Sequence, residues 1–180
     1  MGSYLGKLYW PNGVFKYEGV LRKFRPHGGK VKIYDDIPGS DTVLFEGEMF
    51  FGCRVNGFGV EYHCDRSKRV FYRGEYRRSG WHGQGCRFWN GKGGLWIQCD
   101  YVEGKRHGFC REYFESGMLA VEARYKNGNY EGSFKKWFTN GKFCIRGGMS
   151  EGRIIGFHSM CYDNGQLQCI GYQDTSKYFF

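Results

Sequence analysis

Three consecutive segments between Gln98 and Cys169 repeat with a period of 24 residues and without insertion. Nine glycines carry the repeat in three registers: Gly104, Gly128 and Gly152; Gly108, Gly132 and Gly156; Gly117, Gly141 and Gly165. An aromatic residue lies three positions before the last glycine of each repeat, at Phe114, Phe138 and Tyr162. A fixed period of this length is typical of an array of small supersecondary units that each contact their neighbours. The repeat therefore constrains the architecture more than any other feature.

Within a repeat, the residues alternate as they do in β-strands. Phe134 and Phe138 are predicted to point to one face of a strand, and Lys135 and Trp137 to the other. Asn-Gly dipeptides favour hairpin turns because both residues tolerate positive φ. Six are present, beginning at Asn12, Asn56, Asn90, Asn127, Asn140 and Asn164. No stretch has sustained helical periodicity, so the sequence predicts about seven β-hairpins in series.

The N-terminal half contains longer units of the same kind. Gly19, Gly47 and Gly74 each follow an aromatic residue by two positions, and they are 28 and 27 residues apart because inserted loops lengthen the period. We expect residues 1–173 to form one array and 174–180 to form a C-terminal tail. Within the array, 1–16 is predicted as an atypical cap, 17–97 as longer units with inserted loops, and 98–169 as the regular units.

The predicted fold class is all-β, an elongated single-layer antiparallel sheet of serial hairpins. One 24-residue hairpin is marginally stable in water, so each is expected to pair with its neighbours. Glycine supplies 30 residues and aromatic residues 19% of the chain. Aromatic side chains are expected to pack across strands, with glycines relieving the crowding.

The motifs of the N-terminal half resemble those of MORN repeats, whose pattern is Y-x-G-x-[WF] followed by G-x-x-x-G-x-G. They read Phe45-Glu46-Gly47-Glu48-Met49 and Tyr72-Arg73-Gly74-Glu75-Tyr76, with Gly83-Gln84-Gly85 after the second. The C-terminal repeats, with Tyr101 and Tyr125 three residues before a glycine, resemble the divergent variant found in bacterial and giant-virus arrays. Met149 departs from this pattern, because it stands where the opening aromatic belongs.

The resemblance implies a protein that assembles with others. MORN-repeat proteins include cytoskeletal and ciliary scaffolds and membrane-junction proteins, and the divergent variant extends this to a structural role such as a minor capsid protein of a giant-virus virion. We therefore expect a non-enzymatic structural scaffold or linker that binds partner proteins along the face and the edges of its sheet.

The net charge of +9 favours an anionic neighbour. Basic residues could form a stripe that contacts a partner or lipid, and the alternative is a set of solvated charges that keep sheet edges from aggregating. The candidate contact residues are Arg22, Lys23, Arg25, Lys105, Arg106, Lys135 and Lys136. An alternative function follows, a peripheral membrane module that binds anionic phospholipids through basic loops. Dispersed charge without a recognised motif argues against nucleic acid.

Tryptophans are the second group of candidate contact residues. Trp81 and Trp137 could lie on a docking face, because exposed aromatic surface marks sites of association. The alternative is that both pack across strands within the sheet. The sequence leaves the choice open.

Eight cysteines form no C-x-x-C pair and no zinc-site spacing. We interpret them as reduced thiols of an intracellular protein, cytoplasmic or associated with an assembly, because the chain shows neither a secretory signal nor an apolar run of transmembrane length. The five histidines are scattered, and three of them, His27, His82 and His107, each precede a loop glycine, so the repeat explains their placement. No Ser-His-Asp, Cys-His or phosphate-loop pattern is present. No catalytic residue, cofactor or metal site is predicted.

Overall fold

The computed structural model describes residues 2–65 and 67–174, with backbone alone at 29, 30, 55 and 56. Every regular element in this part of the chain is a β-strand. In chain order the strands are β1 (Tyr4–Tyr9), β2 (Phe15–Arg22), β3 (Arg25–Pro26), β4 (Gly28–Tyr34), β5 (Val43–Phe50), β6 (Cys53–Tyr62), β7 (Val70–Arg77), β8 (Gly80–Phe88), β9 (Leu95–Val102), β10 (Lys105–Tyr113), β11 (Leu119–Lys126), β12 (Asn129–Trp137), β13 (Phe143–Ser150), β14 (Arg153–Cys161) and β15 (Leu167–Gln173).

The predicted fold class is confirmed, since most strands lie in one long antiparallel sheet built from consecutive hairpins. The cap differs from the expectation of a single sheet. Strands β1, β2 and β3 form a separate three-stranded sheet, and the chain leaves it at Gly28, whose φ is +138°. The chain divides into an N-terminal unit, Met1–Gly93, and a C-terminal unit, Gly94–Phe180. The predicted tail begins at Asp174, and residues 175–180 lie outside the described residues.

Tight turns join the strands at one edge of each unit. Each has two central residues, both with positive φ: Lys23-Phe24, Phe51-Gly52, Arg78-Ser79, Glu103-Gly104, Asn127-Gly128 and Glu151-Gly152. Such turns match the right-handed twist of the strands that they join. Asn127 is the one Asn of the six dipeptides whose own φ is positive. The prediction of a turn at Asn56-Gly57 is wrong, because both residues lie within β6.

Five-residue loops close several hairpins at the opposite edge. In the loop Phe138–Lys142, the Phe138 N–H donates to the Lys142 carbonyl and the Gly141 N–H donates to the Phe138 carbonyl. The same two bonds close the loops that begin at Trp10, Phe114 and Tyr162. The prediction that Phe138 lies within a strand is wrong, because the Asn140 side chain accepts from the Lys142 N–H and bends the chain after Trp137.

In the N-terminal unit, aromatic rings cover glycines. Gly74 of β7 pairs with Gly85 of β8, and Tyr72 is fully buried over both. A Cβ atom on Gly74 would lie 2.6 Å from the Gly85 Cα, and one on Gly85 would lie 2.7 Å from the Tyr72 Cε2. The pair Gly47 and Gly59 lies under Phe45 in the same way. The Y-x-G motif therefore places a ring where the sheet has no side chains.

The C-terminal unit fills the same positions differently. Ile97, Cys99 and Cys110 correspond to Tyr72, Gly74 and Gly85, since Cys99 and Cys110 also lie on neighbouring strands with their Cα atoms 4.3 Å apart. In the next repeat the three positions are Val121, Ala123 and Phe134, all buried, and Ala123 pairs with Phe134. In the repeats where the first residue is smaller than tyrosine, the two paired residues are larger than glycine, which keeps the core filled.

Cys99 and Cys110 are joined by a disulfide, with their Cα atoms 4.3 Å apart. The interpretation of all eight cysteines as reduced thiols is therefore wrong for this pair. Sequence spacing concealed it, because 11 residues separate the two cysteines and the tight turn Glu103-Gly104 brings them together. The remaining six, at Cys53, Cys64, Cys86, Cys144, Cys161 and Cys169, are free thiols.

Candidate functional site

The repeat glycines predicted from the sequence occupy three kinds of position. Gly104, Gly128 and Gly152 are the second residues of tight turns, and Gly117, Gly141 and Gly165 close the five-residue loops. Gly108, Gly132 and Gly156 have φ of +66°, +94° and +64° beside register shifts in the strand pairing. Gly19, Gly47 and Gly74 instead lie close to the aromatic ring two positions before them.

A cluster of polar side chains lies partly buried in the C-terminal unit. The Arg106 Nη1 lies 2.6 Å from the Glu112 Oε1 and donates to the Tyr125 hydroxyl at 2.8 Å. The Tyr125 hydroxyl in turn donates to the Glu112 Oε1 at 2.6 Å. Arg106 is a candidate contact for a partner or lipid, and in the structure its guanidinium is paired with Glu112 and Tyr125 within the sheet.

The N-terminal unit holds a related cluster at the corresponding strand positions. Arg54 pairs with Glu61, its guanidinium carbon lies 4.5 Å from the centre of the Phe45 ring, and Tyr76 lies beside both charges. Burial, and secondarily the Glu61 carboxylate, raises the pKa of Tyr76. Burial, and secondarily Glu112, raises the pKa of Tyr125. Both tyrosines stay protonated at neutral pH. The Tyr125 hydroxyl is hydrogen-bonded, whereas the Tyr76 hydroxyl is buried without a hydrogen-bond partner among the described residues.

The other predicted basic contacts of the C-terminal unit are dispersed. Lys135 is exposed and pairs with Glu122 at 3.4 Å, while Lys136 and Lys105 are exposed on β12 and β10. The candidate stripe is therefore divided by acidic partners in this unit. Surface ion pairs of this kind stabilise a protein by only about 0 to 1 kcal/mol.

In the N-terminal unit, the structure brings predicted basic residues together at one edge. The turn edge, as we name it, comprises Arg22, Lys23, Phe24, Arg25, Phe51, Arg77 and Arg78. Its turns bond to the strands before them, since the Gly52 N–H donates to the Pro26 carbonyl and the Ser79 N–H donates to the Arg54 carbonyl. Among the described residues, none of its five cations forms an ion pair.

Phe24 projects from the turn edge and was not predicted as a contact residue. Its side chain is 78% exposed, and its φ of +59° is one that a bulky residue rarely adopts. Basic residues surround it in the sequence Arg22-Lys23-Phe24-Arg25, and that pattern is a signal from which it could have been found. Cations beside an exposed aromatic ring can bind an anionic, partly apolar surface.

The tryptophans proposed for docking take part in packing. Trp81 is half-buried and stacks on Tyr72, with ring centroids 4.4 Å apart and planes at 7°. Its Nε1 also donates to the Glu61 Oε1 at 3.4 Å. Trp137 is half-buried, with its ring 5.9 Å from that of Phe143. Both observations favour packing across strands over an exposed docking face.

An exposed apolar patch lies on the outer face of the C-terminal unit instead. Phe157 is 77% exposed, and its ring centroid lies 4.9 Å from that of Tyr172 on the paired strand. Ile170 of β15 is 69% exposed beside them, and β15 carries no charged residue. The equivalent position one repeat earlier is Ser133, so the repeat does not require an aromatic residue there.

No group of three or more His, Cys, Asp or Glu side chains lies close enough to hold a metal ion in the part of the chain that the structure describes. Within the same residues, no helix has the length and apolar character needed to cross a membrane. No protein-family model matches the chain, and a search of curated proteins finds no match.

Proposed function

We propose that the protein is a non-enzymatic scaffold of the MORN-repeat type that binds a partner protein through the outer face of its C-terminal unit. The apolar patch of Phe157, Ile170 and Tyr172 carries this proposal. Large exposed apolar groups next to an uncharged strand are typical of surfaces that associate with other proteins. An intracellular assembly such as a virion or a cytoskeletal structure is the setting that the MORN-like motifs favour.

Site-specific photocrosslinking tests the scaffold. A photoreactive phenylalanine analogue replaces Phe157 in one protein and Ser133 in the other, and both proteins are expressed in the native host. We expect a discrete crosslinked partner from position 157 and none from position 133, and Phe157→Ser should remove the partner from native complexes. Equal crosslinking from both positions would contradict the assignment of the patch.

The turn edge supports a second candidate function, binding to an anionic membrane surface. Five cations that form no ion pair with any described residue lie with the exposed Phe24 on one edge of the N-terminal unit. Each basic residue near an anionic bilayer contributes about 1 kcal/mol of binding free energy. Phe24 would add apolar contact at the level of the headgroups.

Vesicle flotation distinguishes this candidate from the scaffold. We expect flotation with vesicles that contain phosphatidylserine, none with pure phosphatidylcholine, and loss of flotation in Arg22→Gln/Lys23→Gln/Arg25→Gln. The control is Lys105→Gln/Lys136→Gln/Arg153→Gln in the C-terminal unit, which removes the same charge. Equal loss in both variants would mean that net charge alone causes binding.

A further inference from the structure

A cleft of about 480 Å³ lies in the N-terminal unit, between the cap sheet and the first strands of the long sheet. Phe45 and Met49 are its buried floor, at 2% and 9% exposure. Trp10, Ile33, Leu44 and Phe51 are half-buried on its walls. The volume is within the range of sites for small organic ligands, and the lining is largely apolar as such sites usually are.

Cations alone provide the charge around this cleft. Lys16, Arg25 and Arg54 line it, and among the described residues no carboxylate does. Arg54 is neutralised by Glu61, so it contributes packing rather than free charge. Lys16 lies over the Trp10 ring, with its Nζ 4.0 Å from the centroid, and neither Lys16 nor Arg25 has an ion pair in the described residues.

The position of Arg25 connects the cleft with the turn edge. Its side chain lies along the turn Phe51-Gly52, since a Cβ atom on Gly52 would lie 3.2 Å from the Arg25 Cβ. Phe24 and Ser79, both exposed, line the same side. The cleft is therefore open to solvent beside unpaired positive charge, while its floor is apolar.

We propose that this cleft binds one molecule of a single-chain anionic amphiphile, such as a long-chain fatty acid or a monoalkyl phosphate. The alkyl chain lies on Phe45 and Met49, and Lys16 and Arg25, which both line the cleft, make its surroundings positive and so favour an anionic head. Burial of the chain supplies affinity and the two cations select the sign of the head. This ligand site is separate from the partner surface on the C-terminal unit and needs no bilayer.

Calorimetry with dodecyl phosphate below its micelle concentration tests the site. We expect one molecule bound per chain, and at least tenfold weaker binding of dodecyl maltoside and dodecyltrimethylammonium, which have the same chain with neutral and cationic heads. Inorganic phosphate should not compete at equal concentration. Full competition by inorganic phosphate, or equal binding of all three heads, would overturn the proposal.

Variants locate the site within the chain. Lys16→Gln and Arg25→Gln should each weaken dodecyl phosphate binding about fivefold, while Arg153→Gln, an exposed cation of the C-terminal unit, should leave it unchanged. Ile33→Trp should block the cleft, and circular dichroism establishes that each variant is folded. Unchanged affinity in both charge variants would overturn the proposal. Because the ligand is monomeric, this result is independent of vesicle flotation and of crosslinking at Phe157.

Discussion

The two units fill the core of their hairpins with different side chains. In the N-terminal unit a large ring, such as that of Tyr72, covers a pair of glycines that could not accommodate even a methyl group. In the C-terminal unit the first residue is aliphatic, and the facing pair becomes the disulfide Cys99–Cys110 or the pair Ala123 and Phe134. The comparison shows that either strand of a hairpin can supply the large side chain that fills its core.

The largest effect is expected from breaking the glycine pair. Gly74→Ala places a methyl group 2.6 Å from both the Gly85 Cα and the Gln84 carbonyl oxygen, so the backbone has to shift. We expect a loss of about 3 kcal/mol in the free energy of unfolding, measured by urea denaturation. The control is Gly94→Ala, where a methyl group would meet nothing within 4 Å.

The same comparison predicts a rescue. Tyr72→Val/Gly74→Ala/Gly85→Phe copies the set Val121, Ala123 and Phe134 into the N-terminal unit. If core volume is what the repeats preserve, this triple variant is more stable than Gly74→Ala alone. A triple variant less stable than the single one would show that the two units are not interchangeable.

Reduction of the disulfide should have the next largest effect, and it acts on the C-terminal unit. A closed loop of this size stabilises a protein by about 2.5 kcal/mol. We expect Cys99→Ala/Cys110→Ala to lose that amount and to become insensitive to reductant. When thiols are blocked at lysis and the protein is then denatured, mass spectrometry should find six blocked cysteines. Eight blocked cysteines would mean that Cys99 and Cys110 are reduced in the cell, as the cysteines of cytosolic proteins usually are.

The polar clusters of the two units should differ in how much they contribute to the free energy of unfolding, and this effect is smaller than that of the disulfide. Tyr125→Phe removes a hydroxyl that donates to Glu112 and accepts from Arg106. We expect a loss of about 2 kcal/mol, because both partners are charged groups in a partly buried site. Tyr76→Phe should cost less, because the Tyr76 hydroxyl has no hydrogen-bond partner among the described residues. Paired urea titrations of the two variants measure the difference, and equal losses would contradict the ranking.

The smallest expected effect concerns an irregular loop of the N-terminal unit. Hydrogen bonds from Ser67, and secondarily Arg69, lower the pKa of Asp65 to about 2 from its ordinary value of 3.8. Because the folded pKa lies below the unfolded one, this stabilisation is complete above about pH 4 and is lost as the pH falls towards 2. Titration followed by NMR should show the low pKa in the native protein and a higher one in Ser67→Ala. An unchanged pKa in Ser67→Ala would contradict the assigned cause.

The sequence predicted features that depend on neighbours in the chain. Five of the six Asn-Gly dipeptides lie in turns, and Asn56-Gly57 lies within β6. Aromatic alternation indicated the strands, because turns and strands are set largely by local residues. The clusters depend on residues far apart: Tyr125 follows Arg106 by 19 positions, and the cleft combines Trp10 with Met49. Repeat spacing alone did not reveal that Phe138 begins a loop. Nor did it reveal the separate cap sheet, since that depends on where strand pairing changes at Gly28.

Hydrogen bonds between successive turns and strands also affect how such a chain can evolve. The Gly128 N–H donates to the Arg106 carbonyl, and 24 residues later the Gly152 N–H donates to the Tyr130 carbonyl. Each repeat thus carries one donor for the repeat before it and one acceptor for the repeat after it. An in-frame duplication of a 24-residue segment would preserve every such bond, and it would lengthen the protein by one hairpin without requiring a compensating mutation.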